Sequence, residues 1–291
     1  MRFFVIVFMI LLLEAVPVRC KAYDGELVYT IINGRAVITG YTGEPEFIEI
    51  PQVIDSCTVT EIARGAFYGC RSLKKAVLPS SIRKIGENSF YACYSLEEAI
   101  IPEGVEKLGE GCFCGCTSLS SVSIPLSLTD IPDSCFRACV QLKTVNLPCS
   151  IRRIGNYSFS GCTSLEDVTF GDGLSEIGER SFFMCGALQK LYIPSSLTKL
   201  GKESVGYAPS NQGASPMHGF ELSGRNNSEA ERYAEANGIS FMPSEDIIRS
   251  VYSYHPSHRS QKVSEMCVAA VMLAFMAAAL LSVRSAAVHK R

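Results

Sequence analysis

Residues 82–102 read IRKIGENSFYACYSLEEAIIP, and their spacing decides the fold. Leu96, Ala99 and Ile101 follow an LxxLxL rule whose last residues alternate as a strand does, so Ala99 and Ile101 face inward while Glu98 and Ile100 face out. Pro102 ends that strand, because it has no N–H to give to a sheet ladder. Ile85, Gly86 and Phe90 cross the back of a coil, the aromatic ring filling the space between one turn and the next.

Outward from this unit the same columns recur at 23 residues. Phe67, Phe90, Phe113, Phe136, Phe159 and Phe182 hold the period without exception, and Val205 takes the next step. Cys70, Cys93, Cys116, Cys139, Cys162 and Cys185 stand three residues on, and Leu73, Leu96, Leu119, Leu142, Leu165 and Leu188 three further. Prolines 79, 102, 125, 148 and 194 and the apolar column Ile62, Ile85, Leu108, Ile131, Ile154, Ile177 and Leu200 keep the phase. One unit cannot bury its apolar edge, whereas stacked units can, with strands about 4.8 Å apart. These columns predict a leucine-rich-repeat solenoid, mainly β, with one short strand per 23-residue turn.

Over residues 24–242 the chain resembles the BspA-like, or treponemal-type, leucine-rich-repeat surface proteins, whose unit runs roughly IPxSVxxIGxxAFxxCxSLxxVx. The resemblance implies a cell-surface or secreted protein, and several kinds within that family act as adhesins for host matrix proteins or other microbes. This copy departs from the pattern at Ala63 and Pro132, where a turn glycine is usual, and at Gly171, where proline is.

Solenoids need polar ends. In GELVYTIINGRAVITG two alternating runs flank Asn33-Gly34, which predicts a hairpin as the N-terminal cap. In SEAERYAEANGISF, Ser228 with Glu231 three residues on reads as a capping box and Asn237-Gly238 as a helix stop, so a short helix and a strand close the other end. Residues 207–219 read as an inserted loop.

The two ends carry a different message. An apolar run over residues 3–13 follows Arg2, with small residues at Cys20 and Ala22, the layout of a secretory signal peptide cut near Ala22. The uncharged run MCVAAVMLAFMAAALLSV from Met266 extends about 27 Å as a helix, which suits a membrane span. Arg284, Lys290 and Arg291 follow it and place the end inside the cytoplasm. The chain therefore divides into a signal peptide (1–22), an N-terminal β cap (23–56), leucine-rich repeats (57–206), a C-terminal cap with a short helix (207–242), a linker (243–264), a transmembrane helix (265–283) and a cytoplasmic tail (284–291). That is a single-pass type I protein held to the bilayer by one helix. Ala270, Ala274, Ala278 and Ser282 form a small-residue stripe that could pair helices and so support self-association.

Composition narrows the function. Residues 23–265 hold 21 Lys and Arg against 28 Asp and Glu, which argues against nucleic acid as a partner, since its binding rests on a basic face. No HExxH, GxSxG, GKS or GKT motif occurs. No catalytic residue, cofactor or metal is therefore assigned; His218, His255 and His258 fall in a loop and a linker. The cysteines number 13. The six in the repeat column read as small core residues, as do Cys112 and Cys135 at the small position before phenylalanine, while Cys57, Cys114 and Cys149 are the better candidates for a bridge or a reactive thiol. Asn156-Tyr157-Ser158 and Asn226-Asn227-Ser228 match the glycosylation sequon, which matters only in a eukaryote.

What remains is the outward face of the stacked strands. Its columns are Lys75, Glu98, Ser121, Thr144, Asp167 and Lys190, and Val77, Ile100, Ser123, Asn146, Thr169 and Tyr192. Such a surface suits a protein or glycan ligand bound by complementarity; the rival reading is a cell-envelope scaffold that organises other membrane proteins.

Overall fold

A computed structural model of the chain describes residues 18–22, 25–211 and 213–244, all within one compact unit, Met1–Ile247. The remainder of the signal peptide, the linker beyond residue 244, the membrane helix over 265–283 with its stripe Ala270, Ala274, Ala278 and Ser282, and the tail all lie outside the described residues. Among the described residues no helix is long and apolar enough to cross a membrane.

The 23-residue period becomes one turn of a mainly-β solenoid, and its inner residues form a single buried cluster. Each turn contributes a strand to a parallel front sheet: Phe47–Glu49, Lys75–Val77, Glu98–Ile100, Ser121–Ser123, Thr144–Leu147, Asp167–Phe170, Lys190–Tyr192, Glu221–Gly224 and Ser240–Pro243. The expectation of one strand per turn needs correction. A second parallel ladder runs along the back, through Cys57–Ile62, Lys84–Ile85 and Lys107–Leu108, and then through Asp130–Ile131, Arg153–Ile154, Glu176–Ile177 and Lys199–Leu200. Each of the later back strands pairs only two residues, too few to show alternation in the sequence.

The glycines after the back strands have a steric reason. A Cβ on Gly178 would lie 2.7 Å from the Asn156 nitrogen, and one on Gly86 2.6 Å from the carbonyl carbon of Ala63. The bare backbone lets Gly86, Gly109, Gly155, Gly178 and Gly201 donate their N–H groups to the preceding turn's Ile62, Ile85, Ile131, Ile154 and Ile177, each at 2.8 Å. Pro132 occupies this column and has no N–H to give.

A third rib passes through the phenylalanines. Phe67, Phe90, Phe113, Phe136, Phe159 and Phe182 donate to the next turn's carbonyls at 2.7–2.9 Å. Their buried rings stack with centroids 5.0–5.5 Å apart and planes within 16°, and Tyr41 continues the stack onto Phe67 at 5.7 Å. Two residues to either side, the backbone is left-handed: Gly65, Asn88, Gly111, Ser134, Tyr157, Arg180 and Glu203 form one such column, and Gly69, Ala92, Gly115, Ala138, Gly161 and Met184 the other. A Cβ costs about 1–2 kcal/mol in this conformation. Ala138→Gly is therefore expected to raise unfolding free energy by about 0.5–1 kcal/mol, net of glycine's extra unfolded-state entropy, whereas Ala99→Gly in a front strand lowers it. Urea midpoints of the two variants check the opposite signs.

At the N-terminal end, Gly25–Ile32 and Arg35–Thr42 pair antiparallel around Asn33 and Gly34, both at positive φ, and the second strand adds in parallel to Cys57–Ile62. Val18–Ala22, inside the expected signal peptide, pairs antiparallel with Gly25–Ile32. At the far end residues 207–219 are not a loop: Tyr207–Ser210 and Gly213–Pro216 form an antiparallel pair. The helix Glu229–Asn237 stops at Gly238 in a left-handed conformation. Its capping box is not made. The Ser228 side chain makes no cap bond, and Glu231 instead accepts the N–H of Asn227 at 2.5 Å.

Candidate binding face

The front strands place the two outward columns side by side. Lys75, Glu98, Ser121, Thr144, Asp167 and Lys190 are exposed, as are Ile100, Ser123 and Asn146; Val77, Thr169 and Tyr192 are half-buried. The alternating partners Ala99, Val145, Val168 and Leu191 turn into the core, so strand pleat alone separates outward-facing from packing residues. Register sets Lys75 opposite Glu98, Glu98 opposite Ser121, and Asn146 opposite Thr169. Lys75 and Glu98 thus place opposite charges on neighbouring strands, and the Thr169 hydroxyl donates to Asn146 Oδ1 at 2.7 Å.

The face is longer than its period suggests. Phe47 and Glu49 extend it at one end, and Glu221, Ser223, Ser240 and Met242 at the other. Lys75 follows Phe47 by 28 residues and Glu221 follows Lys190 by 31, so a search at fixed spacing passes over both. The face is also segmented, because ladder pairing lapses between Ser121–Ser123 and Thr144–Leu147 and again between Asp167–Phe170 and Lys190–Tyr192.

A second exposed group lies on the phenylalanine side of the coil. Tyr68, 58% exposed, stacks on Tyr91 at 4.9 Å, and the Arg71 guanidinium sits 5.6 Å from the Tyr94 ring. Further along, Arg137 covers Tyr157 at 5.7 Å and Arg180 covers Phe183 at 5.2 Å. Tyr68 and Tyr91 are one period apart, the signal that could have found them in the sequence.

The cysteine column is chemically quiet. The thiols of Cys93, Cys116, Cys139, Cys162 and Cys185 donate to the carbonyls of Phe67, Phe90, Phe113, Phe136 and Phe159 at 3.1–3.3 Å. Burial pushes the Cys162 thiol up to about 12 and those of Cys116, Cys139 and Cys185 well above the usual thiol range, so they stay protonated and un-nucleophilic. Cys57 and Cys114 are half-buried, Cys149 is exposed, and none of the three is bridged.

Asn156 does not project as a glycan acceptor should. Its Nδ2 donates to Asp133 Oδ2 at 2.9 Å and its Oδ1 accepts the Glu179 N–H at 2.8 Å, while Ser158 is fully buried. Asn226 is exposed. His218 is exposed too, and among the described residues no group of three or more His, Cys, Asp or Glu side chains is placed to hold a metal.

Solved structures share this architecture. The leucine-rich-repeat protein of T. pallidum is 27% identical, with a TM-score of 0.55 over 74% of this chain and 95% of its own. A leucine-rich cell surface protein of Faecalibacterium prausnitzii A2-165 has a TM-score of 0.56 at 23% identity, over 78% of this chain and 73% of its own. A leucine-rich-repeat protein of Eubacterium ventriosum has a TM-score of 0.54 at 25% identity, over 65% and 52% respectively. No curated protein matches the chain. The model of the BspA type leucine-rich-repeat region matches six copies, over residues 46–157 and 129–210. With its period, its ladders and more than half its length covered by that model, the chain belongs to the BspA-type leucine-rich-repeat family.

Proposed function

We propose that the chain is a cell-surface recognition protein, and that its front sheet binds a protein or glycan ligand in adhesion. The observation that carries this reading is the pair of outward columns. They run along the solenoid with nine of their twelve side chains exposed and Val77, Thr169 and Tyr192 half-buried, while the apolar contacts that hold the fold are made by the inward-facing residues between them. Family membership supports a binding scaffold over an enzyme. In this reading residues 265–283 hold the protein to the bilayer, residues 243–264 lift the solenoid clear by about 25 Å as a flexible coil, and the basic tail stays inside. The chemistry is surface complementarity, with Ile100 as the aliphatic anchor and Tyr192 as the aromatic one.

The test is binding of purified residues 23–264 to an array of matrix proteins, glycans and whole cells. Saturable binding that falls about tenfold, or ~1.4 kcal/mol, in Ile100→Ala or Tyr192→Ala is the expected result. Absence of any binding would overturn recognition and favour the envelope scaffold, which loses its partners with the membrane helix.

A further inference from the structure

One junction between turns differs from the rest. On the front, pairing lapses between Ser121–Ser123 and Thr144–Leu147; on the back it lapses between Lys107–Leu108 and Asp130–Ile131. Among the described residues this is the one junction at which both ladders stop. Pro132 accounts for part of it, since the bond that a turn glycine would make to the Leu108 carbonyl has no donor. What still joins the two turns is the phenylalanine rib, with Gly111, Phe113 and Gly115 donating to Asp133, Cys135 and Arg137 at 2.7–3.0 Å, and beyond it the Gln141 N–H, which donates to the Thr117 carbonyl at 3.2 Å.

At this junction the small column before phenylalanine changes. It reads Ala66, Ser89, Cys112, Cys135, Ser158, Ser181, Ser204, so its two cysteines stand on the two turns that the ladders fail to join. Their Sγ atoms are 3.4 Å apart, and both residues are fully buried. Ser158 and Ser181 in the same column donate to the Gly155 and Gly178 carbonyls. The repeat-column thiols nearby, Cys116 and Cys139, are committed to phenylalanine carbonyls. Cys112 and Cys135 have each other.

We infer that Cys112 and Cys135 are an oxidation site, which closes to a disulfide and ties the two halves of the solenoid together. The two thiols lose two protons and two electrons as the Sγ–Sγ bond forms, and a disulfide-class oxidant accepts them and leaves as two thiols. Burial disfavours the thiolate of Cys135 in the closed solenoid, so the exchange takes place while the turns are still assembling. Once stacked, the bond is shielded from reductants.

The full chain, reduced, unfolded and refolded in glutathione disulfide, is alkylated in denaturant and digested without reduction. The expected products are a joined pair of peptides carrying Cys112 and Cys135, with Cys93, Cys116, Cys139, Cys162 and Cys185 alkylated. Cys135→Ser, which puts into the column the residue it carries elsewhere, should free Cys112 for alkylation and lower the urea midpoint to that of the reduced wild type. Full alkylation of both thiols, or Cys112 joined to any other cysteine, would overturn the inference.

Discussion

Phe136→Ala lowers the unfolding free energy by about 3–5 kcal/mol, the range for removing a fully buried aromatic ring. The ring lies in the middle of the stack, with Phe113 at 5.5 Å and Phe159 at 5.4 Å. Its loss opens a cavity against both neighbours, and the offset-stacking contribution goes with it. In a solenoid the stability is a sum of turns and of interfaces between adjacent turns. Both strand ladders already lapse on the N-terminal side of this turn, so few backbone bonds remain there to compensate. Urea unfolding followed by circular dichroism should show a lower midpoint and two resolved steps, the segments on either side melting separately. A single transition within 1 kcal/mol of the wild type would mean that the stack is not what holds the turns together, since even a modest core truncation costs about that much.

Gly178→Ala is the second large effect, with an expected loss of about 1–3 kcal/mol or more from overpacking against an unyielding neighbour. The new Cβ would meet the Asn156 nitrogen at 2.7 Å and the Gly155 carbonyl carbon at 2.8 Å. Backbone atoms cannot rotate away as a side-chain end can, so the two turns must separate, weakening the Gly178 bond to Ile154. Gly186→Ala provides the control, because nothing lies within 4 Å of its Cβ and its φ is not positive. Thermal denaturation of both should leave the control near the wild type. Equal losses in the two would show that the cost comes from chain flexibility and not from contact between turns.

These effects trace to columns legible in the sequence. The 23-residue period exposed the phenylalanines, the cysteines and the front strands, because each is a chemical type repeated in phase. The back ladder was not legible, since its later two-residue strands carry no alternation. The left-handed columns were hidden as well: their occupants include Tyr157, Arg180, Glu203 and Met184, which tolerate the conformation only because the rib on either side fixes it. At Ser228 the capping-box spacing was present, but the Glu231 carboxylate went to Asn227 instead. Most of the candidate face followed from strand pleat, while Phe47, Glu49 and Glu221 were missed because the end turns break the period. The aromatic and arginine group at Tyr68, Tyr91, Tyr94 and Arg71 depends on side-chain stacking across turns, which a search for strand alternation does not weigh.

That group makes the decisive comparison possible, because exposed tyrosine and arginine are common binding anchors. The measurement is the affinity of the array-identified ligand for two variants of residues 23–264: Ile100→Ala with Tyr192→Ala on the front sheet, and Tyr68→Ala with Tyr94→Ala on the opposite rib. Unfolding midpoints of both must match the parent. Recognition through the stacked strands predicts a loss of at least about tenfold in the first variant and parental affinity in the second. Parental binding by the first, with loss in the second, would contradict it and move the site to the phenylalanine side of the coil.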